Sequence, residues 1–394
     1  MARPERRTVR DVRRGNRAML LRELYFSGPA SRNDLTRLTG LSAATVSTMT
    51  GDLLGDGIVV EAGQVESDGG RPRVLLRVNP EYGFAIGVDV AETHVRVGLF
   101  DLGMTELAKV DYALRPVRHD PELVARHVLA GIDVVLSDAG VAPEQVLGVG
   151  VGVPGIVEPG PDGLIHAKTF GWDGVPLGAL LREGTSLPLF VDNGAKAMGQ
   201  AELWFGSGRG ASDAVIVLLG TGVGATIVAD GTAFRGTSSS AGEWGHTTVV
   251  AGGRPCRCGA RGCLEAYIGA EAILERAGAP IQSDWQEELG RLLAERSPVI
   301  DETVVYLGVG LATLVNLLNP QRIVIGGWVG TMLGQTLLLD IRRATAENAL
   351  AEPYAATSIV LGRLGPDVVA LGAATLVLEE FLNAPQVARI TAAG

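Results

Sequence analysis

The first eighty residues alternate between runs with apolar side chains at helical spacing and short runs with strand character. In segment 12–27 the apolar positions on one helical face are Met19, Leu20, Leu24 and Tyr25, and Gly28-Pro29 ends the pattern. Ser31 and Ser42 are predicted to cap two further helices, the second of which spans 43–54. Two strand-like runs, 58–62 and 74–78, follow around a polar turn.

This order of elements, with a tight turn between the second and third helices, is typical of a winged helix-turn-helix domain, which we place at 12–80. The third helix would enter the major groove of DNA, and the hairpin tip would reach a narrow minor groove. The expected DNA contacts are Arg32, Ser42, Thr45, Ser47, Thr48 and Arg71. The alternative is a three-helix packing or dimerisation module.

From residue 84 the pattern changes to two successive units of three strands followed by helices and further strands. In the first unit the predicted strands are 84–89, 95–100, 107–112, 146–153 and 189–192, with helices at 121–137 and from 195. In the second unit the predicted strands are 214–219, 225–229, 247–250, 322–325 and 358–361, with helices at 266–277, 285–296, 302–318, 332–348 and 368–382. The repetition predicts a duplicated α/β architecture with a cleft between two lobes. We place the first lobe at 81–192 plus 365–394 and the second at 193–364.

The charge of the chain is divided unevenly between these regions. The 394 residues carry a formal net charge of −10, which alone would argue against a nucleic-acid partner. Residues 1–80, however, hold 13 Arg against nine acidic residues, a net charge of +4, and the remainder carries −14. A basic end on an acidic body is expected of a small nucleic-acid-binding module attached to another domain. Residues 1–11 are predicted to form a flexible basic arm.

No uncharged apolar run is long enough to predict a membrane span or a signal peptide, so a cytoplasmic location is expected. All three cysteines lie in one short stretch, at Cys256, Cys258 and Cys263. An odd number of cysteines packed this closely is not typical of a disulfide framework and indicates a metal site. Buried free thiols are the alternative.

Three segments of the chain resemble the ROK family of bacterial sugar repressors and sugar kinases. They are the glycine loop at 219–224, Glu243-Trp244-Gly245-His246, and the cysteine motif that runs from Cys256 to Glu265. Three N-terminal motifs look like the repressor branch of the family, which includes xylose and N-acetylglucosamine repressors. They are Asn16-Arg17-Ala18, Thr45-Val46-Ser47 and Gly69-Gly70-Arg71-Pro72. The resemblance covers about residues 12 to 382 and implies a two-lobed sugar-kinase, actin-like fold of the duplicated ribonuclease-H-like type.

The resemblance also implies site residues. A closed, structural zinc ion would be held by His246, Cys256, Cys258 and Cys263. A sugar between the lobes would contact Asn193, Glu243, His246, Glu265 and Gly155. The family's nucleotide loops survive here as Gly220, Thr221, Gly222, Gly224, Gly326 and Gly327, which we expect to be vestigial turns needed by the fold.

The chain departs from the kinase pattern at two catalytic positions. ROK kinases carry an Asp that removes a proton from the sugar, and Gly194 stands there in this sequence. The first phosphate loop of the kinases resembles Asp-x-Gly-Gly-Thr, and here Ala91 and Glu92 replace both glycines. A further departure is Thr169, where the family usually carries an Asn that contacts sugar. These changes predict loss of phosphoryl transfer.

We therefore expect a transcriptional regulator, most simply a sugar-responsive repressor of carbohydrate-utilisation genes. It would bind an inverted-repeat DNA operator as a homodimer or homotetramer. The alternatives are an ATP-dependent sugar kinase with an attached DNA-binding domain, and a regulator whose sugar pocket has degenerated. The sequence leaves open the identity of the sugar, the operator, activation versus repression, and residual nucleotide binding.

Overall fold

A small domain of three helices and a three-stranded sheet forms the N-terminal head. The computed structural model describes residues 8–67, 70–114, 119–160, 163–280, 284–365 and 367–383. The elements of the head are α1 (Val9–Ser27), β1 (Ala30–Ser31), α2 (Arg32–Thr39), α3 (Ala43–Gly55), β2 (Val59–Ser67) and β3 (Gly70–Val78). The strands pair antiparallel in the order β1-β3-β2, which makes the wing.

The helix starts of the head follow from local capping. Thr8 with Asp11, and Ser31 with Asp34, form capping boxes, and the Ser42 hydroxyl accepts from the amide of Thr45. The first helix therefore begins at Val9, within the segment expected to be a flexible arm up to residue 11. Residues 1–7 of that predicted arm lie outside the described residues.

The first lobe is a five-stranded sheet with one long helix on it. Its elements are β4 (Phe84–Val90), β5 (His94–Asp101), β6 (Glu106–Ala113), α4 (Pro121–Ala139), β7 (Val146–Val153), β8 (Ile156–Val157), β9 (Ile165–Ala167), β10 (Trp172–Val175), α5 (Leu177–Arg182) and β11 (Leu189–Asn193). The main sheet has the strand order β11-β7-β4-β5-β6, and β8 to β10 form a small separate sheet. The first three strands of the lobe are antiparallel and the last two are parallel to β4.

The second lobe repeats this strand order. Its elements are α6 (Gly194–Trp204), β12 (Ala214–Leu219), β13 (Val223–Ala229), β14 (Thr232–Phe234), α7 (Glu265–Ile268), α8 (Ala270–Arg276), α9 (Trp285–Ala294), α10 (Pro298–Leu318), β15 (Arg322–Gly326), α11 (Gly327–Asn348), α12 (Ala351–Ala356) and β16 (Ser358–Leu361). The sheet order is β14-β13-β12-β15-β16, the counterpart of β6-β5-β4-β7-β11. The final helix, α13 (Val368–Asn383), returns to the first lobe. The duplicated architecture predicted from the pattern is thus confirmed.

The predicted strand at 247–250 is wrong. The third strand of the second lobe is β14, and Thr247 to Val250 lie in a loop where Thr248 makes an isolated bridge to Cys263. The residues of this loop have strand-like composition, but their backbone hydrogen bonds go to the cysteine segment. The predicted helix at 266–277 is two helices, α7 and α8, because the chain turns at Gly269.

Two long helices of the second lobe begin earlier than predicted. Helix α10 starts at Pro298, which suits the first helical position, and α11 starts at Gly327 directly after β15. Helix α10 is long and apolar enough to cross a membrane, but its apolar residues are largely buried in the core of the lobe.

Helix α13 lies directly on the first-lobe sheet. A Cβ atom at Gly87 would lie 1.9 Å from the Ala370 carbonyl oxygen, and one at Gly150 would lie 1.8 Å from that of Ala373. These glycines of β4 and β7 therefore permit a helix-to-sheet approach that any side chain would block. The same helix packs on α6 and on α1.

Helix α1 joins the head to the body through a shared core. Leu20, Leu21 and Leu24 are buried in one cluster with residues of the head and with Trp204, Leu378 and Phe381 of the body. The Tyr25 hydroxyl donates to the carbonyl of Leu102 at 2.8 Å, and Arg209 donates to that of Phe26 at 2.9 Å. The ring of Phe26 meets Trp204 edge-on, with centroids 5.1 Å apart. Head and body are therefore one packed unit at this junction.

The shared core predicts that Leu24→Ala destabilises the whole chain. Leu24 is 1% exposed, and a buried Leu→Ala change costs about 2–5 kcal/mol in free energy of unfolding. We expect urea unfolding followed by tryptophan fluorescence and by circular dichroism to shift together. Val12→Ala, at an exposed position of the same helix, is the control and should change the free energy by less than about 0.5 kcal/mol. A loss below about 1 kcal/mol for Leu24→Ala would contradict the shared core.

Candidate metal centre and inter-lobe cleft

Four side chains of the second lobe converge on one point. The ligand atoms of His246, Cys256, Cys258 and Cys263 all lie within 4.8 Å of one another. His246 Nδ1 is 3.6 Å from Cys256 Sγ, and the Sγ atoms of Cys258 and Cys263 are 3.7 Å apart. Zn–S bonds of about 2.3 Å at tetrahedral angles give sulfur–sulfur separations of about 3.8 Å. The cluster therefore has the spacing of a four-coordinate metal site and could bind a metal ion.

The backbone around these ligands is tightly folded. The Cys256 amide donates to the carbonyl of Ala260, and the Gly262 amide donates to that of Arg254. Gly262 has φ of +79°, and a Cβ atom there would lie 1.7 Å from the Val250 carbonyl oxygen. The short loop thus needs glycine at this position to return the chain to Cys263.

Burial makes the thiolate forms of two of the three cysteines, Cys256 and Cys263, unfavourable without a cation. Burial raises the pKa of Cys256 and raises the pKa of Cys263 to about 12. A bound metal ion would lower these pKa values, because it binds thiolates and not thiols.

Two acidic residues that the sequence predicts as sugar contacts, Glu243 and Glu265, lie next to the metal cluster along the chain. Glu243 comes three residues before His246, and its Oε2 lies 4.0 Å from His246 Nε2. Burial raises the pKa of Glu243. Glu265 comes two residues after Cys263, and its Oε2 accepts from the amide of Val223 at 2.9 Å. The predicted sugar contact at Glu265 therefore already holds a strand end in place.

The other two predicted sugar contacts touch each other. Asn193 caps α6, its Oδ1 accepting from the amides of Ala195 and Lys196, while its Nδ2 donates to the Gly155 carbonyl at 2.6 Å. Gly155 has φ of +79°, and a Cβ atom there would lie 2.2 Å from the His166 carbonyl oxygen. Asn193 thus connects the start of α6 to the loop after β7.

Sequence reasoning missed Arg257, which lies between two of the cysteines. Its Nη1 donates to both carboxylate oxygens of Glu92, at 3.0 and 2.9 Å, and its Nη2 donates to the carbonyl of Thr221 at 3.1 Å. Glu265 and Glu271 lie 3.6 and 3.4 Å from the same guanidinium. Burial raises the pKa of Glu92, and Arg257 partly offsets that rise. Arg257 therefore connects the metal loop, residues 256–263, to the turn between β4 and β5 of the first lobe. This turn corresponds to the first phosphate loop of the kinases.

A second missed ion pair joins the lobes. Asp192 at the end of β11 accepts from Arg235, which follows β14, at 2.7 Å. Lys196, two residues beyond Gly194, is buried nearby on the first turn of α6. In the sequence, the available indication was a charged residue, Lys196, close to the segment that replaces the catalytic motif of the kinases. Only the fold shows which charged side chains lie together.

The predicted nucleotide loops form tight turns. The Gly220 amide donates to the Gly222 carbonyl, and a Cβ atom at Gly224 would lie 3.0 Å from that of Ala195. Gly326 ends β15, and Gly327 has φ of +77° with the Leu219 carbonyl oxygen 2.3 Å from an added Cβ. Close approaches therefore explain the glycines at Gly224 and Gly327, whereas a Cβ atom at Gly220 or Gly222 would make only ordinary contacts, at 3.5 and 3.7 Å.

The predicted DNA-binding residues are partly assembled on the head. Ser42, Ser47 and Thr48 are exposed along α3, and Thr45 is half-buried with its hydroxyl 2.8 Å from that of Ser42. Arg32 donates to Thr50 Oγ1 at 2.9 Å and so braces α2 against α3. Arg71 is in β3, but its side chain lies outside the described residues.

Two lobes with one strand order, a cleft between them and a winged helix-turn-helix head define a sugar-kinase, actin-like protein with an attached head. A model of the ROK family matches residues 85–380, and the chain belongs to the ROK family.

The most similar curated proteins include both repressors and kinases. The chain is 30% identical over 391 residues to the xylose repressor of Caldicellulosiruptor bescii, covering 95% of this chain and 98% of that protein. It is 33% identical over 316 residues to the glucokinase of Halalkalibacterium halodurans, covering 75% of this chain and 95% of that protein. A crystal structure of a ROK family transcriptional regulator, a homologue of the Escherichia coli Mlc protein, superposes with a TM-score of 0.78. It is 25% identical and covers 95% of this chain and 98% of that one. The repressor similarity includes the head, and the shorter kinase match covers three quarters of the chain.

The metal cluster predicts one metal ion per chain in the purified protein. Cys263→Ser should remove it, as measured by elemental mass spectrometry, and should lower the melting temperature. Because binding requires deprotonated thiols and burial raises the pKa of Cys263, the apparent metal affinity should fall as the pH is lowered. His127→Gln, at a histidine stacked on Tyr112 outside the cluster, should keep the metal. Retention of a full equivalent by Cys263→Ser would contradict the assignment.

Proposed function

We propose that the chain is a sugar-responsive transcriptional regulator, most simply a repressor of carbohydrate-utilisation genes. The head binds an inverted-repeat operator, and a sugar binds between the lobes near Glu243, His246 and Asn193. The observation that supports this best is the junction of α1, which packs a helix-turn-helix head onto a sugar-kinase-like body in one core. The repressor function of the relatives that match nearly the whole chain favours the same conclusion.

We infer that the body does not transfer phosphate. Gly194 supplies no general base, and the nearest carboxylate along the chain, Asp192, is paired with Arg235. The carboxylate of Glu92 occupies the first phosphate turn and is bound by Arg257, so that a nucleotide phosphate would meet negative charge there. The second candidate, an active kinase with a DNA-binding head, is favoured by the glucokinase match, which does not include the head.

We propose that the metal is a structural Zn²⁺. Three thiolates and one imidazole complete a tetrahedral shell and leave no position for a reacting water. Such an ion supplies rigidity, holding the loop of Glu243 against the loop of Arg257 and Glu265. The metal therefore shapes the sugar cleft from outside it.

Helix α6 offers a route from the cleft to the head. Its first turn carries the Asn193 cap, and its last residue, Trp204, packs on Phe26 of α1. Lobe closure on a sugar would tilt α6 and change the separation of two heads in a homodimer or homotetramer. The sugar acts through its difference in affinity for the two arrangements. Binding to chromosomal DNA places the protein in the cytoplasm.

The proposal predicts specific operator binding that a sugar reverses. Selection from random duplexes should yield an inverted repeat. Fluorescence anisotropy on it should show affinity that falls with salt, because phosphate contacts release counterions. Thr48→Asp on the exposed face of α3 should weaken binding at least tenfold, and Ser137→Asp, exposed on α4, should not. Enrichment of no repeat, or equal binding by Thr48→Asp, would overturn the proposed function.

The same proposal predicts no phosphotransfer. With ATP, Mg²⁺ and a panel of hexoses and pentoses, sugar phosphate formation should equal the protein-free blank. Turnover that Asp192→Ala abolishes would establish the kinase instead.

A further inference from the structure

Lys196 is a buried cation that the proposed function leaves without a role. It lies on the first turn of α6, three residues after the Asn193 cap, and is 7% exposed. Within the described part of the chain its ammonium group has no hydrogen-bond partner, and no carboxylate oxygen lies within 4.0 Å of it. The side chain is mostly removed from water, but its Nζ atom is not among the fully buried, unpartnered side-chain atoms of the described residues. The ammonium group is therefore partly desolvated and still open to a ligand, and a charged partner would compensate its lost hydration.

The groups around Lys196 come from both lobes. Asp192 belongs to the first lobe, and Arg235 and Glu243 belong to the second; all three act electrostatically on the Lys196 ammonium. Its position between them places the ammonium at the cleft rather than within one lobe.

The carboxylates around Lys196 differ in whether they already have a partner within the protein. Asp192 is paired with Arg235 at 2.7 Å. Glu265 is held by the amide of Val223 and lies 3.6 Å from Arg257. Glu243 has no Lys or Arg nitrogen within 4.0 Å among the described residues, and its carboxylate lies 4.0 Å from the imidazole of His246. Lys196 and Glu243 are therefore the two charges of the cleft that a ligand can engage.

We propose that the cleft selects a sugar acid, whose carboxylate pairs with Lys196 while its hydroxyl groups donate to Glu243. This inference rests on the proposed sugar-responsive function and specifies its ligand class. The carboxylate supplies the direct hydrogen-bonded partner that Asp192 and Glu243 do not, and a neutral hydroxyl group does so only in part. Hydroxyl protons suit Glu243, because a carboxylate accepts hydrogen bonds and donates none.

A monoanion fits this cleft better than a phosphate dianion. Glu92, Glu265 and Glu271 surround the single guanidinium of Arg257, so the neighbourhood carries more negative than positive charge. A second negative charge on the ligand would add repulsion that Lys196 alone does not balance.

The test is titration calorimetry of the full chain with matched pairs of ligands. The panel pairs glucose, galactose and xylose with their uronate and aldonate forms, and adds glucose 6-phosphate. We expect at least one acid to bind about tenfold or more tightly than its neutral parent, the difference of one charge-assisted hydrogen bond. No binding by any acid, equal binding by acid and parent, or tighter binding by the phosphate would overturn the inference.

Variants of Lys196 link the preference to this residue. Lys196→Met should abolish the preference for the acid, and Lys196→Arg should retain it. Lys109→Met, at an exposed lysine of β6, is the matched control and should bind as the unchanged chain does. Unchanged acid binding by Lys196→Met, with its melting temperature preserved, would contradict the role of Lys196.

Calorimetry separates this inference from the proposed function. An acid that binds through Lys196 without releasing operator DNA supports the ligand class and overturns the regulatory function. If a neutral sugar releases operator DNA and binds as tightly as its acid, the regulatory function is supported and the proposed ligand class is overturned.

Discussion

The four converging side chains of the metal cluster, which could bind a metal ion, lie at the base of the loops on the second-lobe side of the cleft. Glu243, Arg257 and Glu265 all lie within three residues of a ligand along the chain, so their backbone positions follow from the closure of one small loop. Few of these residues belong to regular helices or strands, and the turns between them depend on glycine and on isolated bridges. A loop of this kind has little apolar core of its own, and a four-coordinate ion would substitute for one. The positions of these polar residues in the cleft therefore depend on the metal cluster that lies behind them.

Two ion pairs, Arg257 with Glu92 and Arg235 with Asp192, cross from one lobe to the other. Both carboxylates are largely buried, with side-chain exposures of 11% for Glu92 and 9% for Asp192, so breaking either pair would leave a poorly hydrated charge without a partner. The two pairs therefore hold the lobes in a defined relation. Any change in that relation must supply water or another partner to each carboxylate.

The sequence predicted what local pattern and motif spacing determine. The strands with strong apolar runs, such as β7 and β12, follow from the hydrophobic pattern, and the grouping of the three cysteines follows from their spacing. The addition of His246 to that group came from the resemblance to the ROK family. The strand expected at 247–250 failed because its backbone partners are set by the metal loop, not by side-chain alternation. The pairing of Arg257 with Glu92, 165 residues apart, lay beyond local reasoning, since only the fold brings them together. The burial of Lys196 could not be predicted either, because a lysine on the first turn of a helix is normally expected to be exposed, and only the fold buries it.

The connection between head and body is short as well as packed. Strand β3 ends at Val78 and β4 begins at Phe84, while the Leu102 amide donates to the carbonyl of Pro80 within that connection. A domain on a long flexible linker can reach DNA sites over a wide radius. This head is instead packed on the body and moves with it. In the proposed complex with an inverted repeat, the distance between the two half-sites would then follow from how the bodies assemble, because the five residues between β3 and β4 give the head little freedom to move by itself.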